Sequence, residues 1–193
     1  ENSVDVDPFN NSKIGAAISA LVDQAEVPLI IGAVLRTDGQ LQNASILWEP
    51  KTGATTRYVK RHLTPFGEVM PLRSALTFFS DLPNQVEDFS PGKSAVIHQV
   101  GQAKIAPIIC FELIDDRLIQ SSADQSNLFV VQTNSATFAN TSESAQQLAI
   151  TRIRSIEHAR YSVSVSTVGI SAIIDTNGIV LKSTKENIAA SIN

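Results

Sequence analysis

A chain of 193 residues, 43% of them hydrophobic and 18% charged, has the length and composition of one globular domain that can bury a sizeable core. Its net charge of −4 argues against a nucleic-acid-binding surface, its single cysteine excludes an internal disulfide, and no apolar run reaches the roughly 18–20 residues that span a bilayer. The opening Glu1-Asn-Ser-Val-Asp5 has neither the basic start nor the apolar core of a signal peptide and no initiator methionine, so we expect a piece of something longer.

Asp7-Pro8 breaks the polar start. Ser12 is placed to cap a helix to about Glu26, with Ile14, Ile18, Leu21, Val22 and Ala25 on one face. Leu29 to Leu35, Ala44 to Trp48 and Thr55 to Val59 read as three strands separated by short turns, which predicts an antiparallel meander. Lys60 to Arg73 then breaks the regularity with two prolines, a glycine and several charges, the kind of loop that carries binding or catalysis on a rigid scaffold. Ser74 to Phe79 reads as a short helix, and Met70, Leu72, Leu76, Phe78 and Phe79 suit either a core helix or a lipid-facing lid. A polar connection covers Pro83 to Lys93.

Ala95 to Val100 and Lys104 to Cys110 are expected to form a hairpin around Gly101-Gln102. A helix-like segment follows from about Glu112 to Ser121, then a buried strand at Leu128 to Gln132 and a polar loop at Thr133 to Thr141. Ser142 is placed to cap a helix to about Arg160, whose Arg152, Arg154, Glu157 and Arg160 read as a solvated face. Ser162 to Ser166, Ser171 to Ile174 and Ile179 to Leu181 are strands, the last two joined through Asp175-Thr-Asn-Gly178. The tail from Lys182 is polar and expected to fray. This order predicts an α/β or α+β domain with helices layered on sheets.

Cys110 stands at the carboxyl end of a core strand and the start of a helix-like segment, where N–H groups favour a thiolate and can hold an oxyanion. A lone cysteine after an apolar run is more often an inert core thiol. The three histidines, His62, His98 and His158, have no ligand spacing, so no metal site is expected. His98 reads as structural and His158 as a surface residue, while His62 is open as a partner of Cys110. The other route to an active thiol is a carboxylate base with a cation, and Glu1, Glu68, Glu112 and Lys60 sit in or beside irregular segments. Composition does not choose among them.

Tyr58-Val-Lys60-Arg-His-Leu-Thr-Pro-Phe-Gly-Glu68, followed by Ile105-Ala-Pro-Ile-Ile-Cys110-Phe-Glu112, resembles the nitrilase superfamily and, within it, the apolipoprotein N-acyltransferase branch. The opening Glu1-Asn-Ser, the stretch Gln147-Leu-Ala-x-x-Arg-x-Arg-Ser-x-Glu157 and Ser166-Thr-Val-Gly169-Ile-Ser171 resemble further segments of that branch, so the likeness runs from Glu1 to about Leu181. It implies a nitrilase-like αββα four-layer sandwich, truncated at its N-terminus, as a catalytic domain over residues 1–181 with a polar tail at 182–193. It also implies a triad of Glu1 as general base, Lys60 as oxyanion stabiliser and Cys110 as nucleophile, supported by Glu68, Glu112 and the Phe111 N–H, with no cofactor.

The implied reaction moves an acyl chain from a phospholipid, through a thioester on Cys110, to the α-amine of a diacylglyceryl-cysteine on a lipoprotein. The implied place is the extracytoplasmic side of a bacterial cell membrane, reached through segments absent from this chain. The same triad also serves soluble carbon–nitrogen hydrolases, with water as acceptor, and an inactive truncated domain is the third alternative. The chain departs from the branch in lacking its first strand and helix and its Trp-Pro pair. It also carries Thr133-Asn-Ser-Ala-Thr-Phe138 where a tryptophan-containing loop is common. A general base on the first residue is expected to be loosely held, at a cost in rate.

Overall fold

The computed structural model describes residues 1–4, 6–71 and 87–193. The short helix read at Ser74 to Phe79, the apolar residues Leu72, Leu76, Phe78 and Phe79, and the start of the connection at Pro83 lie outside the described residues. Strands β1 (Leu29–Thr37), β2 (Gln40–Glu49) and β3 (Gly53–Val59) form the predicted antiparallel meander. Helix α1 (Ser12–Ala25) covers one face of that sheet. Period-two alternation turns Ala44, Ile46 and Trp48 of β2 toward α1, and Asn43, Ser45 and Leu47 to the other side.

The second sheet has the order β4 (His98–Val100), β5 (Ala103–Ile109), β6 (Leu128–Thr133), β7 (Tyr161–Ser166), β8 (Ala172–Ile174) and β9 (Val180–Ser183). Its central strands β5, β6 and β7 are parallel. They are linked by crossovers through α2 (Asp116–Ala123) and α3 (Glu143–His158). Ala106, Ile108, Phe129 and Val131 pack against Leu118, Ile119 and Ala123 of α2 and Ile150 of α3. The two sheets face each other. His98 joins them, its Nδ1 lying 2.6 Å from Thr56 Oγ1 and its Nε2 3.3 Å from Ser45 Oγ. Burial lowers the His98 pKa to about 4, so the neutral ring acts as a buried structural link, as expected from sequence. The layers are α1, sheet, sheet, then α2 and α3: an αββα sandwich.

Local chemistry moves several boundaries. Asn11, not Ser12, caps α1, and its side chain accepts from the Ile14 N–H at 3.3 Å. Only Val22 of the predicted apolar face is fully buried, and Leu21 is 59% exposed. The segment after Cys110 is not one helix. A 3₁₀ turn, Cys110–Ile114, ends at Asp115, which is extended and caps α2 by accepting from the Leu118 N–H. Ser142 holds the N-cap position of α3 without a side-chain cap bond. At the β8–β9 hairpin only Gly178 has positive φ (+73°), and the Asp175 side chain accepts from the Asn177 and Ile179 N–H groups. Strand β9 runs past Leu181 to Ser183, and the Asn187 N–H donates to Val168 O at 2.8 Å, so the tail is tied down at least that far.

The reading of α3's charges as a solvated face holds for Arg152 and Glu157, which are exposed, and fails for Arg154. Arg154 is 8% exposed; it donates to Leu113 O and pairs with Asp116 and Glu157, fastening α3 to the Cys110 turn. Arg152 donates to Gly178 O, and Arg160 to Ser126 O and Ala123 O. His158 is not a surface residue either. Its side chain is 7% exposed and its ring meets Phe129 edge-on at 6.0 Å. In each case the polar end finds a carbonyl, a carboxylate or a ring.

Candidate active site

Strand β5 delivers Cys110 at its carboxyl end, beside the end of β6, where open parallel sheets place their reactive groups. Cys110 has a φ of +49°, a left-handed conformation that a residue with a Cβ adopts only when its surroundings over-determine it. Glu112 supplies much of that constraint. Its Oε2 accepts from the Ile109 N–H at 2.8 Å, and its Oε1 accepts from Tyr58 OH (2.6 Å), the Arg61 N–H (2.6 Å) and the His62 N–H (3.3 Å). One fully buried carboxylate thus fastens the cysteine turn to the loop that follows β3.

Lys60 leaves β3 with its backbone N–H bonded to Asn43 O at 2.8 Å and its side chain fully buried. Its Nζ lies 2.7 Å from Glu68 Oε2, 3.0 Å from Thr64 Oγ1 and 3.5 Å from Glu1 Oε1. Glu68 also accepts from Asn43 Nδ2 (2.7 Å) and the Thr64 N–H (2.8 Å). Burial works against the Lys60 ammonium, but Glu1 and Glu68 outweigh it and its pKa ends above the ordinary lysine value. For Glu68 burial pushes upward, and Lys60 and Asn43 bring the net below the ordinary carboxylate value.

Glu1 is firmly held, contrary to the expectation of a loose base. Its Oε1 accepts from Asn43 Nδ2 at 2.6 Å and its Oε2 from the Asn134 N–H at 2.8 Å. The backbone behind it runs along β1, with the Ser3 N–H and hydroxyl both donating to Gly32 O. Gly32 permits this approach, since a Cβ there would stand 2.6 Å from Glu1 N and 2.7 Å from its Cα.

Glu1, Lys60, Glu68 and Cys110 therefore meet, as the sequence resemblance implies. Glu1, Glu68 and Cys110, together with Asn43, Phe89, Thr137 and Phe138, border a cleft of about 220 Å³, and the fully buried Lys60 lies behind it, against Glu1 and Glu68. Phe111 stands next to the thiol, its ring edge-on to His62. The helix-like segment does not favour the thiolate as expected. Burial, and then the charge of Glu1, push the Cys110 pKa up to about 12 against the pull of Lys60. At rest Cys110 is a thiol, and to act as a nucleophile it would have to lose its proton to a base. Alkylation of Cys110 by iodoacetamide, followed by mass spectrometry with the fold monitored by circular dichroism, is expected to accelerate continuously up to about pH 10. A plateau below pH 8 would mean that the thiolate is already formed.

His62 is no partner for Cys110. Its Nδ1 lies 2.8 Å from Asp115 Oδ2. Four contributors escaped the sequence reading. Asn43 bridges Glu1 and Glu68, Thr64 holds Lys60, Asn134 holds Glu1 through its backbone, and Gln147 places its Nε2 3.8 Å from Cys110 Sγ. Thr64 and Gln147 lie within the stretches that carry the family resemblance, whereas no linear pattern marks Asn43 or Asn134.

Residues 9–190 match the carbon–nitrogen hydrolase family. The chain belongs to that family. Glu1 precedes the matched range, so its place in the site rests on the geometry above. The chain is 36% identical over 186 residues to an apolipoprotein N-acyltransferase of Mycolicibacterium smegmatis, covering 92% of this chain and 31% of that protein. It is 30% identical over 171 residues to one from Geobacter metallireducens, covering 86% and 33%. The chain thus spans about a third of the length of these curated relatives. Among solved structures, a carbon–nitrogen hydrolase from Helicobacter pylori superposes with a TM-score of 0.68 at 17% identity, covering 91% of this chain and 64% of that one. An amidase from Nesterenkonia sp. AN1, with the acetamide moiety of fluoroacetamide added covalently at its active-site cysteine, superposes with a TM-score of 0.72 at 12% identity, covering 94% and 66%. At these identities the superpositions establish the αββα fold of the family.

Proposed function

We propose that this chain is the catalytic domain of an acyltransferase that carries an acyl group on Cys110 from a phospholipid to the α-amine of a diacylglyceryl-cysteine on a lipoprotein. The observation that carries the reading is the meeting of Cys110 and the firmly held Glu1 on one cleft, with the buried Lys60 ammonium 3.5 Å from Glu1, in a chain whose curated relatives are named apolipoprotein N-acyltransferase. Glu1 takes the thiol proton as sulfur attacks the ester carbonyl, and Lys60 with the Phe111 N–H receives the oxyanion. The C–O bond breaks and lysophospholipid leaves with the proton from Glu1. The amine then attacks the thioester, the C–N bond forms, the C–S bond breaks, and the thiol is restored.

Glu68 and Glu112 act by holding Lys60 and the cysteine turn in place. No helix among the described residues is long and apolar enough to cross a membrane. The proposed setting, the extracytoplasmic face of the cell membrane, rests on the resemblance to the apolipoprotein N-acyltransferase branch. Residues 1–181, extended to Ser183 by β9, are proposed as the catalytic unit.

The test is intact-mass analysis of the native protein incubated with phospholipid vesicles. An acyl adduct on Cys110, absent from Cys110→Ala and discharged by a diacylglyceryl peptide, is the expected result. A cysteine that ignores phospholipid but is acylated by small amides and discharged by water would assign the site to a hydrolase instead.

A further inference from the structure

Helix α3 brings a second carboxylate to the thiol. Glu143 and Gln147 lie one helical turn apart and hence on one face, and Gln147 Nε2 stands 3.8 Å from Cys110 Sγ. Glu143 is close enough for its charge to oppose ionisation of the thiol, with more weight than that of Glu68. Glu68 is paired with Lys60, whereas the Glu143 backbone N–H donates to Thr141 Oγ1 and its Oε2 has no hydrogen-bond partner among the described residues. Glu143 Oε2 and Gln147 Oε1 are both buried acceptors without a donor. Burying such atoms unpaired is costly, and the acylation half of the reaction uses neither. The loop that leads into α3 carries Thr137 and Phe138, which line the cleft, so the helix follows directly on a segment of the cleft wall.

Two acceptors without donors beside a nucleophile match a ligand rich in N–H groups and positively charged. We infer that Glu143 and Gln147 form the subsite for the ammonium group of the acyl acceptor. The inference rests on the acyl-transfer reading above and names the residues that would favour an amine over water. An ammonium held there gives one proton to Glu1 and becomes the attacking amine. Its nitrogen bonds to the thioester carbon, and the C–S bond breaks. The departing sulfur takes the second proton from nitrogen, and Glu1 returns its own to solvent.

The experiment follows the discharge of the Cys110 thioester in the native protein and in Glu143→Gln, using a cationic diacylglyceryl peptide, uncharged hydroxylamine, and water. Thioester formation is expected to be undiminished in the variant. The KM for the cationic peptide is expected to rise roughly ten- to a hundred-fold, the value of one charge-assisted hydrogen bond. Discharge by hydroxylamine and by water is expected to stay unchanged, and Glu143→Asp to recover part of the loss. A general loosening of the helix would slow all three acceptors alike and overturn the inference. So would an unchanged KM for the peptide, although the transferase reading would then stand. If the unaltered protein forms no thioester from phospholipid, the transferase reading falls and this inference with it.

Discussion

Replacing Lys60 with methionine is expected to lower acyl transfer by about two to three orders of magnitude, the loss typical of removing one preorganised donor from a developing oxyanion. It is also expected to cost roughly 3–5 kcal/mol of stability, because it breaks a buried ion pair while leaving the carboxylates behind. Glu1 and Glu68 share the donor Asn43 and face the same ammonium. Without that ammonium the two carboxylates oppose each other in a desolvated pocket, and one must take a proton. The pH dependence has a definite sign. The Glu68 pKa is lowered on folding, so its contribution is present above the unfolded value of 4.5 and is lost as pH falls through the folded value. The Lys60 pKa is raised, so its contribution is present below 10.5 and is lost as pH rises through the folded value. The stability gap between the native protein and Lys60→Met is therefore widest around neutrality and narrows below about pH 4. Urea unfolding at pH 7 and at pH 3.5 reads the gap directly. Equal stabilities at pH 7, or turnover within ten-fold of the native protein, would remove Lys60 from the role assigned to it.

What the sequence discloses and what it withholds divide along a physical line. Lys60, Glu68, Cys110 and Glu112 are legible because each lies in a short motif that follows a strand readable from the sequence, β3 for the first two and β5 for the others. The residues that hold these groups in place come from elsewhere. Asn43 reaches the site from the middle of β2, and Asn134 contributes a main-chain N–H, which any residue type there could supply. Nothing in a linear pattern marks either. Periodicity located α1 but overstated its burial, since a three-stranded sheet covers Val22 and leaves Leu21 exposed. Along α3 the charges suggested a water-facing side, yet Arg154 turns inward because the Leu113 carbonyl and the Asp116 carboxylate are there to receive it. The expected helix-like segment after Cys110 is interrupted at Asp115 for a related reason. Asp115 gives more as the cap of α2 than as a helical residue, so the chain breaks there and the cysteine turn stays short.

Glu112→Gln tests how that short turn is held, and it is expected to be the most damaging conservative change in the molecule. The carboxylate accepts from four donors, three on the backbone and one on Tyr58, and all four point at two oxygens. An amide keeps the shape but replaces one oxygen with an NH₂ group, so at least one buried donor meets another donor. Each such unsatisfied donor costs roughly 1–3 kcal/mol, and the turn that carries Cys110 loses its tie to the Lys60 loop as well. A loss of about 3 kcal/mol or more is expected in urea unfolding, with acyl transfer falling by at least a hundred-fold from misplacement of the nucleophile. Tyr58→Phe is the matched control. It removes one donor, leaves the carboxylate with three, and is expected to cost only about 1 kcal/mol while retaining most of the activity. The ordering of the two variants carries the argument. If Tyr58→Phe were as damaging as Glu112→Gln, the phenol rather than the carboxylate would be the fastening point. If neither disturbed Cys110, measured by its alkylation rate, the left-handed turn at the nucleophile would be held by the sheet alone.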